Sequence, residues 1–140
     1  MRTSTSDSTG DLLMAVARRI RRETAHELEA WGITPAQSRA LKVIGSNQPL
    51  RLSVLAGWLR ITPRSTTEVV DALEELGWVE RSADPSDRRA TMVSLTSEGR
   101  LLLRRIEDVR GAAAERVLDV LGDRDRRTLD RILTTLGERE

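Results

Sequence analysis

Two short apolar segments stand only a few residues apart near the middle of the chain, and this spacing constrains the fold more than any other feature. The first contains Leu55, Ala56 and Leu59, and the second begins after Ile61. The apolar positions of the second segment are Val69, Val70, Leu73 and Leu76. Both sets repeat at helical spacing, so two short helices are joined by a tight connection, as in a helix-turn-helix.

The second of these helices has clear limits in the sequence. Thr62 can cap its amino terminus, Pro63 suits the first helical position, and Gly77 suits the left-handed conformation that ends a helix. Its first two turns carry polar side chains that have no apolar surface to cover, namely Arg64, Ser65, Thr67 and Glu68. We expect these turns to contact base edges of double-stranded DNA, together with Thr62. For Glu68 two roles stay open: it accepts a hydrogen bond from a cytosine amino group, or it only repels phosphates.

After Gly77 the apolar pattern changes from helical to alternating, which predicts a two-stranded hairpin with a polar turn over residues 82–89. Pro85 fixes the backbone of this turn, and Arg88 and Arg89 project from its tip. We expect Arg89 to contact a minor groove or a phosphate, with Asp87 restraining it through a charge-assisted hydrogen bond. The alternative is a surface turn with a self-contained ion pair. The hairpin is interpreted as the wing of a DNA-binding unit.

These motifs resemble the MarR (multiple antibiotic resistance regulator) family of winged-helix regulators. The resemblance lies in the segment ITPRSTTEVVDALEE, in the Asp-x-Arg pair of the wing formed by Asp87 and Arg89, and in the helix start Leu95-Thr96-Ser97-Glu98-Gly99. It covers essentially the whole chain. One departure is Glu68, where the resemblance favours a basic or neutral residue, and it concerns base preference. The resemblance implies a twofold dimer joined by its amino- and carboxy-terminal helices.

The composition excludes several classes of protein. The chain of 140 residues has no cysteine, no tyrosine and one histidine, so thiol chemistry is absent and the supply of general acids and metal ligands is poor. We find no catalytic constellation and expect no enzyme, no metal and no cofactor. No apolar run approaches the roughly 20 residues of a membrane helix, and the first residues lack the apolar core of a secretion signal. We therefore expect a cytoplasmic protein that does not bind membranes.

The net charge of +1 is not that of a strongly basic nucleic-acid binder. The argument for DNA therefore depends on where the arginines lie: Arg64 stands at the helix start, and Arg88 and Arg89 stand at the wing tip. Two tryptophans near this unit, Trp58 and Trp78, are interpreted as packing anchors rather than as groups that stack on bases.

The fold class predicted from these patterns is mainly α with a small β-wing (α+β), a winged helix-turn-helix with long terminal dimerisation helices. We expect a disordered tail over residues 1–10, a helical dimerisation region over 11–33 and 97–140, and a DNA-binding core over 34–96. Within the core, Thr34, Pro35 and Gln37 predict a capped helix to about Ser46, and residues 50–52 predict a short strand. Ser53 is expected to cap the next helix and to lie at the DNA-binding surface.

The terminal helices predict a partner surface. A helix capped by Thr96 carries an apolar stripe through Leu121, and another from Arg124 has an apolar face that ends at Leu136. Long amphipathic helices on a core of modest size need something to cover them, and the simplest partner is a second copy of the chain. We expect a homodimer that binds a pseudo-palindromic operator.

The resemblance implies a junction where the first two helices meet the helix that follows the wing, and we expect a small-molecule effector to bind there. Val16, Ile20 and Leu41 supply apolar walls there, and the candidate polar groups are Arg22, His26 and Arg39. Apolar walls with a few cationic donors suit a small aromatic acid. The alternative interpretations also stand: Arg22 belongs to a basic cluster that forms a solvated face, and His26 is a polar residue on a helix flank.

The function predicted is a dimeric, sequence-specific DNA-binding transcriptional regulator, a repressor whose DNA affinity falls when the ligand binds. The alternative is a winged helix that contacts another protein through the wing and the second helix and does not bind DNA. Salt dependence separates the two, because a DNA binder loses affinity steeply as counterions are released.

Overall fold

The computed structural model describes residues 7–138. Its elements, in chain order, are α1 (Thr9–Glu29), α2 (Pro35–Asn47), β1 (Leu50–Arg51), α3 (Leu52–Leu59), α4 (Pro63–Glu75), β2 (Val79–Asp84), β3 (Asp87–Leu95), α5 (Ser97–Leu118) and α6 (Asp123–Gly137). The three strands form one antiparallel sheet in the order β1-β3-β2. The predicted α+β winged helix-turn-helix is confirmed.

The chain divides into two compact units. One unit comprises Ala25–Val109 and contains α2, α3, α4 and the sheet; the described residues of the other are 7–24 and 110–138. Helices α1 and α5 each contribute residues to both units.

The core of the larger unit is aliphatic. Side chains from α2, α3, α4 and the sheet fill it and are almost completely buried: Leu41, Ile44, Leu55, Val70, Leu73, Val79, Val93 and Leu95. Of the apolar positions predicted for the two helices, Leu76 is 48% exposed, and the positions that are buried are Leu55, Ala56, Leu59, Val70 and Leu73. Thr66 is also buried, where its hydroxyl donates to the carbonyl of Thr62 at 2.9 Å. A polar group buried in this way costs little, because its hydrogen bond is satisfied within its own helix.

Local capping defines the helix starts. In α2 the side chain of Thr34 accepts from the amide of Gln37 at 3.1 Å, and the side chain of Gln37 accepts from the amide of Thr34 at 3.0 Å, which is the predicted capping box. Ser8 caps α1, since its hydroxyl accepts from the amide of Asp11 at 3.1 Å. Residues 1–6 of the predicted tail lie outside the described residues.

Two predicted helix limits were wrong. Helix α3 begins at Leu52 with Arg51 as its cap residue and no side-chain capping bond, so Ser53 is not the cap but the second residue of the helix. The pairing of Arg51 with Met92 carries the strand directly into α3, which leaves no room for a cap at Ser53. Helix α5 ends at Leu118, not at Leu121, because Gly122 already adopts the extended conformation of the α6 cap residue.

The smaller unit is held by contacts among its three helix segments. The guanidinium of Arg126 in α6 forms two hydrogen bonds with the carboxylate of Glu115 in α5, at 2.8 and 3.0 Å. These contacts raise the pKa of Arg126 and lower the pKa of Glu115, because each charge is stabilised by the other. Ala113 and Val117 of α5 are buried, whereas no residue of α6 is.

Candidate nucleic-acid interface

The amino terminus of α4 is built as the sequence predicted. Thr62 has an extended backbone, its side chain accepts from the amide of Ser65 at 3.0 Å, and Pro63 occupies the first helical position. At the other end Gly77 has φ +79°, the left-handed conformation that suits glycine. Val70 and Leu73 hold the inner face of α4 in the core. The opposite face of the first two turns is therefore presented outward on a fixed helix.

Two charged side chains stand on that outward face. The side chain of Arg64 is 92% exposed and that of Glu68 is 68% exposed, and their nearest charged atoms, Nε and Oε1, lie 3.6 Å apart. An exposed pair one helical turn apart contributes little stability, so the guanidinium can leave it at small cost. Thr67 is exposed as well, and its hydroxyl donates to the carbonyl of Pro63 at 3.0 Å. The ion pair between Arg64 and Glu68 explains how a carboxylate is tolerated beside Arg64. It does not test either predicted role of Glu68.

The wing is longer, and its turn shorter, than predicted. Residues 82–84 and 87–89 belong to the strands, and only Pro85 and Ser86 form the turn between the paired residues Asp84 and Asp87. The carboxylate of Asp84 closes this turn by accepting from the amide of Ser86 at 2.9 Å and from its hydroxyl at 2.8 Å. The prediction of a turn over residues 82–89 was wrong, because Asp84 satisfies a two-residue turn. The pairing beside the turn is irregular: Ala83 pairs with Thr91, and residues 88–90 have no partner in β2.

Arg88 and Arg89 begin the outgoing strand of the wing and are both exposed. The carboxylate of Asp87 accepts from the backbone amide of Arg89 at 3.0 Å. The predicted contact between this carboxylate and the guanidinium of Arg89 is absent from the described residues. Asp87 therefore orders the backbone from which Arg89 extends, while the guanidinium itself stays available to a partner.

An ion pair that the sequence did not suggest fixes the wing to the rest of the sheet. Asp84, only 7% exposed, accepts from Nε of Arg51 at 2.8 Å and lies 2.7 Å from its Nη2. Hydrogen bonds from Ser86, followed by the contact with Arg51, hold the pKa of Asp84 below its ordinary value. Because β1 and β2 lie on opposite sides of β3, this pair spans the sheet at the base of the wing tip.

We expect Asp84→Asn to loosen the wing and weaken DNA binding while the helical core stays folded. The neutral amide loses the charge-assisted bonds with Arg51 and leaves part of that network unpaired. The same pair predicts a pH dependence: a carboxyl with a lowered pKa in the folded state adds stability that is complete above the ordinary pKa of aspartate, and the stability is lost as the pH falls through the lowered value. Hydrogen exchange of the wing amides measures the loosening, and protection equal to the parent's contradicts it.

A second unpredicted contact joins the wing to α4. The guanidinium of Arg81 in β2 donates to the carboxylate of Asp71 and, at 2.9 Å, to that of Glu74, both in the later turns of α4. Acidic residues in a DNA-reading helix oppose phosphate binding, and here an arginine of the same unit pairs with two of them.

The remaining predicted residues have mixed outcomes. Trp78 is half-buried and packs against the core, as predicted for an anchor. Trp58 is 57% exposed, so its interpretation as a packing anchor was wrong. Around α3 it lies roughly 60° from the buried Leu55 and roughly 100° from the buried Leu59. Ser53 is exposed on α3, and its DNA contact stays a prediction.

The three candidate effector residues are exposed. Arg22 belongs to the smaller unit, whereas His26 and Arg39 belong to the larger one. Nη2 of Arg39 donates to the carbonyl of Trp58 at 3.2 Å. Of the predicted apolar walls, Leu41 is fully buried in the core of its unit. The effector site stays a prediction.

Residues 7–138 give no support for a metal site or for a membrane-spanning helix. Among these residues no cluster of three or more His, Asp or Glu side chains could hold a metal ion, and none of the helices is long and apolar enough to cross a membrane.

Comparison with known proteins identifies the family to which this unit belongs. The MarR family model matches residues 33–91, which include α2, α3, α4 and most of the wing. The HTH-type transcriptional repressor Rv2887 of Mycobacterium tuberculosis is 34% identical over 91% of this chain and 92% of its own length. The chain belongs to the MarR family. As a MarR-family protein it is a DNA-binding transcriptional regulator, and this identification is supported over a winged helix that contacts only protein.

Solved structures of MarR-family proteins share the fold over nearly the whole chain. The apo form of MarR from Escherichia coli matches with a TM-score of 0.84 and 25% identity, covering 93% of this chain and 96% of that one. Mycobacterium tuberculosis Rv2887 in complex with salicylic acid matches with a TM-score of 0.73 and 32% identity, covering 94% and 98%.

Proposed function

We propose that this MarR-family regulator is a homodimeric repressor that reads a pseudo-palindromic operator with α4 and the wing and leaves it when a small aromatic acid binds. The DNA-reading part of this proposal is supported by the positions of two exposed arginines in the larger unit. Arg64 is exposed at the capped start of α4, and Arg89 is exposed on a wing that two ion-pair networks hold to β1 and to α4. Base readout needs such pre-positioned donors, because ordering them during binding costs affinity.

Selection of genomic fragments with the purified full-length protein tests this proposal. Sequencing of the recovered fragments should give a site with twofold symmetry and half-sites about one helical turn apart. Recovery of fragments that share no symmetric site at moderate salt contradicts sequence-specific reading by a dimer.

We expect Arg89→Ala to weaken DNA binding broadly, across operator and unrelated sequences, without reducing stability. The guanidinium is exposed and has no carboxylate partner among the described residues, so its loss removes a contact with DNA and not a contact within the fold. The expected loss is roughly 1–2 kcal/mol for each wing. Fluorescence anisotropy with labelled duplexes at matched salt measures it. Arg105→Ala, which removes an exposed arginine from α5, is the charge-matched control, and equal affinities for the two variants contradict the role of Arg89.

Arg64→Ala should act differently, by relaxing the preference at one base-pair position in each half-site. An arginine at the start of a recognition helix can donate to guanine O6 and N7, and such a contact discriminates by about 1–3 kcal/mol. Repeating the fragment selection with the variant measures this change. Glu68→Gln in the same selection separates the two roles of Glu68: a changed preference favours contact with cytosine, and an unchanged one leaves only repulsion of phosphates.

The homodimer is supported by apolar side chains that the chain leaves uncovered. On α6, Ile132, Leu133 and Leu136 are 43%, 40% and 60% exposed. On α1, Leu12 and Met14 are 54% and 53% exposed. Apolar surface of this kind on two helices of one unit is typical of a subunit interface.

The proposal that a small aromatic acid releases the protein from DNA has two supports. One is the structure of Rv2887 in complex with salicylic acid. The other is the set of cationic candidates named from the sequence, Arg22, His26 and Arg39. A ligand lowers DNA affinity only if it binds the free protein more tightly than the DNA complex. Titration of salicylate into the free protein and into a preformed complex tests this directly. Equal affinity in the two titrations contradicts release by an aromatic acid.

A further inference from the structure

The charge of the DNA-binding unit is distributed unevenly along the sequence. The 37 residues from Trp31 to Thr67 contain five cationic side chains and no Asp or Glu, although the whole chain has 22 carboxylates. The five are Arg39, Lys42, Arg51, Arg60 and Arg64. This segment forms α2, β1, α3 and the start of α4. The acid-free segment therefore extends well beyond the start of α4 described above.

A shallow depression lies on this acid-free segment, between α2 and the end of α3. It is lined by Arg39, Val54, Gly57, Trp58 and Arg60. The functional groups of its side chains are two guanidiniums and one indole N–H, which are all hydrogen-bond donors and cannot accept. Neither arginine pairs with a carboxylate among residues 7–138. A ligand that only accepts hydrogen bonds and carries negative charge, such as a phosphate group, matches this set of donors.

The backbone at Arg60 gives an independent reason to assign this side chain a function. Arg60 is the residue that ends α3, and its φ of 54° is the left-handed conformation. Its backbone amide donates to the carbonyls of Ala56 and Gly57. Glycine adopts this conformation without the steric cost that an arginine incurs. Helices commonly end in a left-handed residue, but a residue other than glycine there bears a steric cost, and this motivates a hypothesis of function for the side chain of Arg60.

The depression is close to the part of α4 that enters DNA. Thr62, the cap residue of α4, comes four positions after Trp58, and four residue steps span at most about 14 Å. The guanidinium of Arg39 lies 3.2 Å from the carbonyl of Trp58. The major groove of B-DNA is about 12 Å wide, so a phosphate at the edge of the groove that receives α4 is within reach of both arginines.

We propose that Arg39, Trp58 and Arg60 form a contact site for the DNA backbone beside the groove that α4 reads. The site rests on the proposed DNA-reading function and extends its contact surface to α2 and the end of α3. It gives Arg39 a role in holding phosphate, and the effector contact proposed above is then left to Arg22 and His26. The two guanidiniums bind the phosphate oxygens, and the indole N–H supplies a third donor.

Two substitutions in the full-length protein test the site without disturbing the fold. Arg60→Gly removes the cation and relieves the left-handed strain, so thermal stability should stay the same or rise. Arg39→Gln removes the cation and keeps a side-chain donor for the carbonyl of Trp58. Arg105→Gln is the matched control, because it removes an exposed arginine of the same unit from outside the acid-free segment.

The measurement is the dependence of DNA affinity on salt, for a duplex from the genomic selection and for one of random sequence. Each phosphate contact removed should reduce the slope of log affinity against log salt by about one. Arg39→Gln and Arg60→Gly should reduce the slope on both duplexes, and Arg105→Gln should leave it unchanged. Fold and base preference should stay those of the parent protein.

Unchanged slopes for Arg39→Gln and Arg60→Gly overturn the proposal while leaving the roles of α4 and the wing intact. A reduced slope for Arg105→Gln of the same size also overturns it, since the effect would then be one of net charge. A parent protein with no DNA affinity overturns the proposed function itself.

Discussion

Replacing Gly99 by alanine is expected to destabilise the larger unit by about 3 kcal/mol or more, a large part of the roughly 5–15 kcal/mol that stabilises a typical domain. A Cβ atom at this position would lie 1.9 Å from the carbonyl oxygen of Trp78 and 2.9 Å from its carbonyl carbon. Neither atom belongs to a side chain that can rotate away. The first turn of α5 would have to move off the segment that links α4 to the wing.

That movement would break the hydrogen bonds that join the two segments. The amide of Thr96 donates to the carbonyl of Trp78 at 3.1 Å, and the hydroxyl of Thr96 donates to the carbonyl of Gly77 at 2.6 Å while accepting from the amide of Gly99 at 3.0 Å. Thr96 thus caps α5 and also fixes it to the end of α4. The Thr96 and Gly99 pair of the family motif has a direct physical reason: close approach of a helix to a backbone carbonyl.

Urea denaturation followed by circular dichroism measures the loss. Gly111→Ala is the matched control, because Gly111 lies later in the same helix and a Cβ there would meet no atom within 4 Å. Alanine has the higher helix propensity, so the control should be neutral or more stable by up to about 1 kcal/mol. Similar unfolding midpoints for Gly99→Ala and the parent protein contradict the close contact.

The double substitution Ile132→Asp and Leu136→Asp is expected to turn the proposed dimer into a folded monomer that has lost most of its operator affinity. Both side chains are exposed on α6, so each carboxylate stays in water in the monomer and is buried unpaired only if two copies associate. Placing a charge at the centre of an apolar interface costs several kcal/mol. A monomer engages one half-site at a time and loses the gain that comes from linked binding.

Sedimentation at micromolar concentration separates the two states. Thr134→Asp is the control, since Thr134 is exposed on the opposite side of α6 and its substitution adds a negative charge away from the apolar side chains. It should remain dimeric with the parent's DNA affinity. A parent protein that sediments as a monomer contradicts the homodimer, and a double variant that remains a dimer places the interface elsewhere.

The sequence alone predicted the elements whose signals are local. The capping box of α2, the Thr62 and Pro63 start of α4 and the left-handed Gly77 each depend on residues no more than four apart, so the order of amino acids determines them. The apolar spacing likewise gave the helix-turn-helix and the alternating wing strands. Backbone geometry over one or two turns is nearly fixed by such patterns.

The tertiary structure decided which polar and aromatic groups meet. Arg51 and Asp84 lie 33 residues apart in sequence, and they pair only because strand register brings β1 and the wing tip to the same level of the sheet. Asp87 accepts from the backbone amide of Arg89, a contact between residues two apart, although the sequence suggested an ion pair between their side chains. Strand pairing fixes these distances, and composition carries no information on them.

Burial of single side chains was also decided by packing. Trp58 and Trp78 gave equal reasons to expect anchors, yet only Trp78 lies against the core, because α3 turns Leu55 and Leu59 inward and leaves Trp58 outside. Gly99 looked like one glycine of a family motif, and only the path of α5 past Trp78 shows that no other residue fits there. Periodicity defines which face of a helix is apolar; close packing between segments distant in sequence determines where each atom has room.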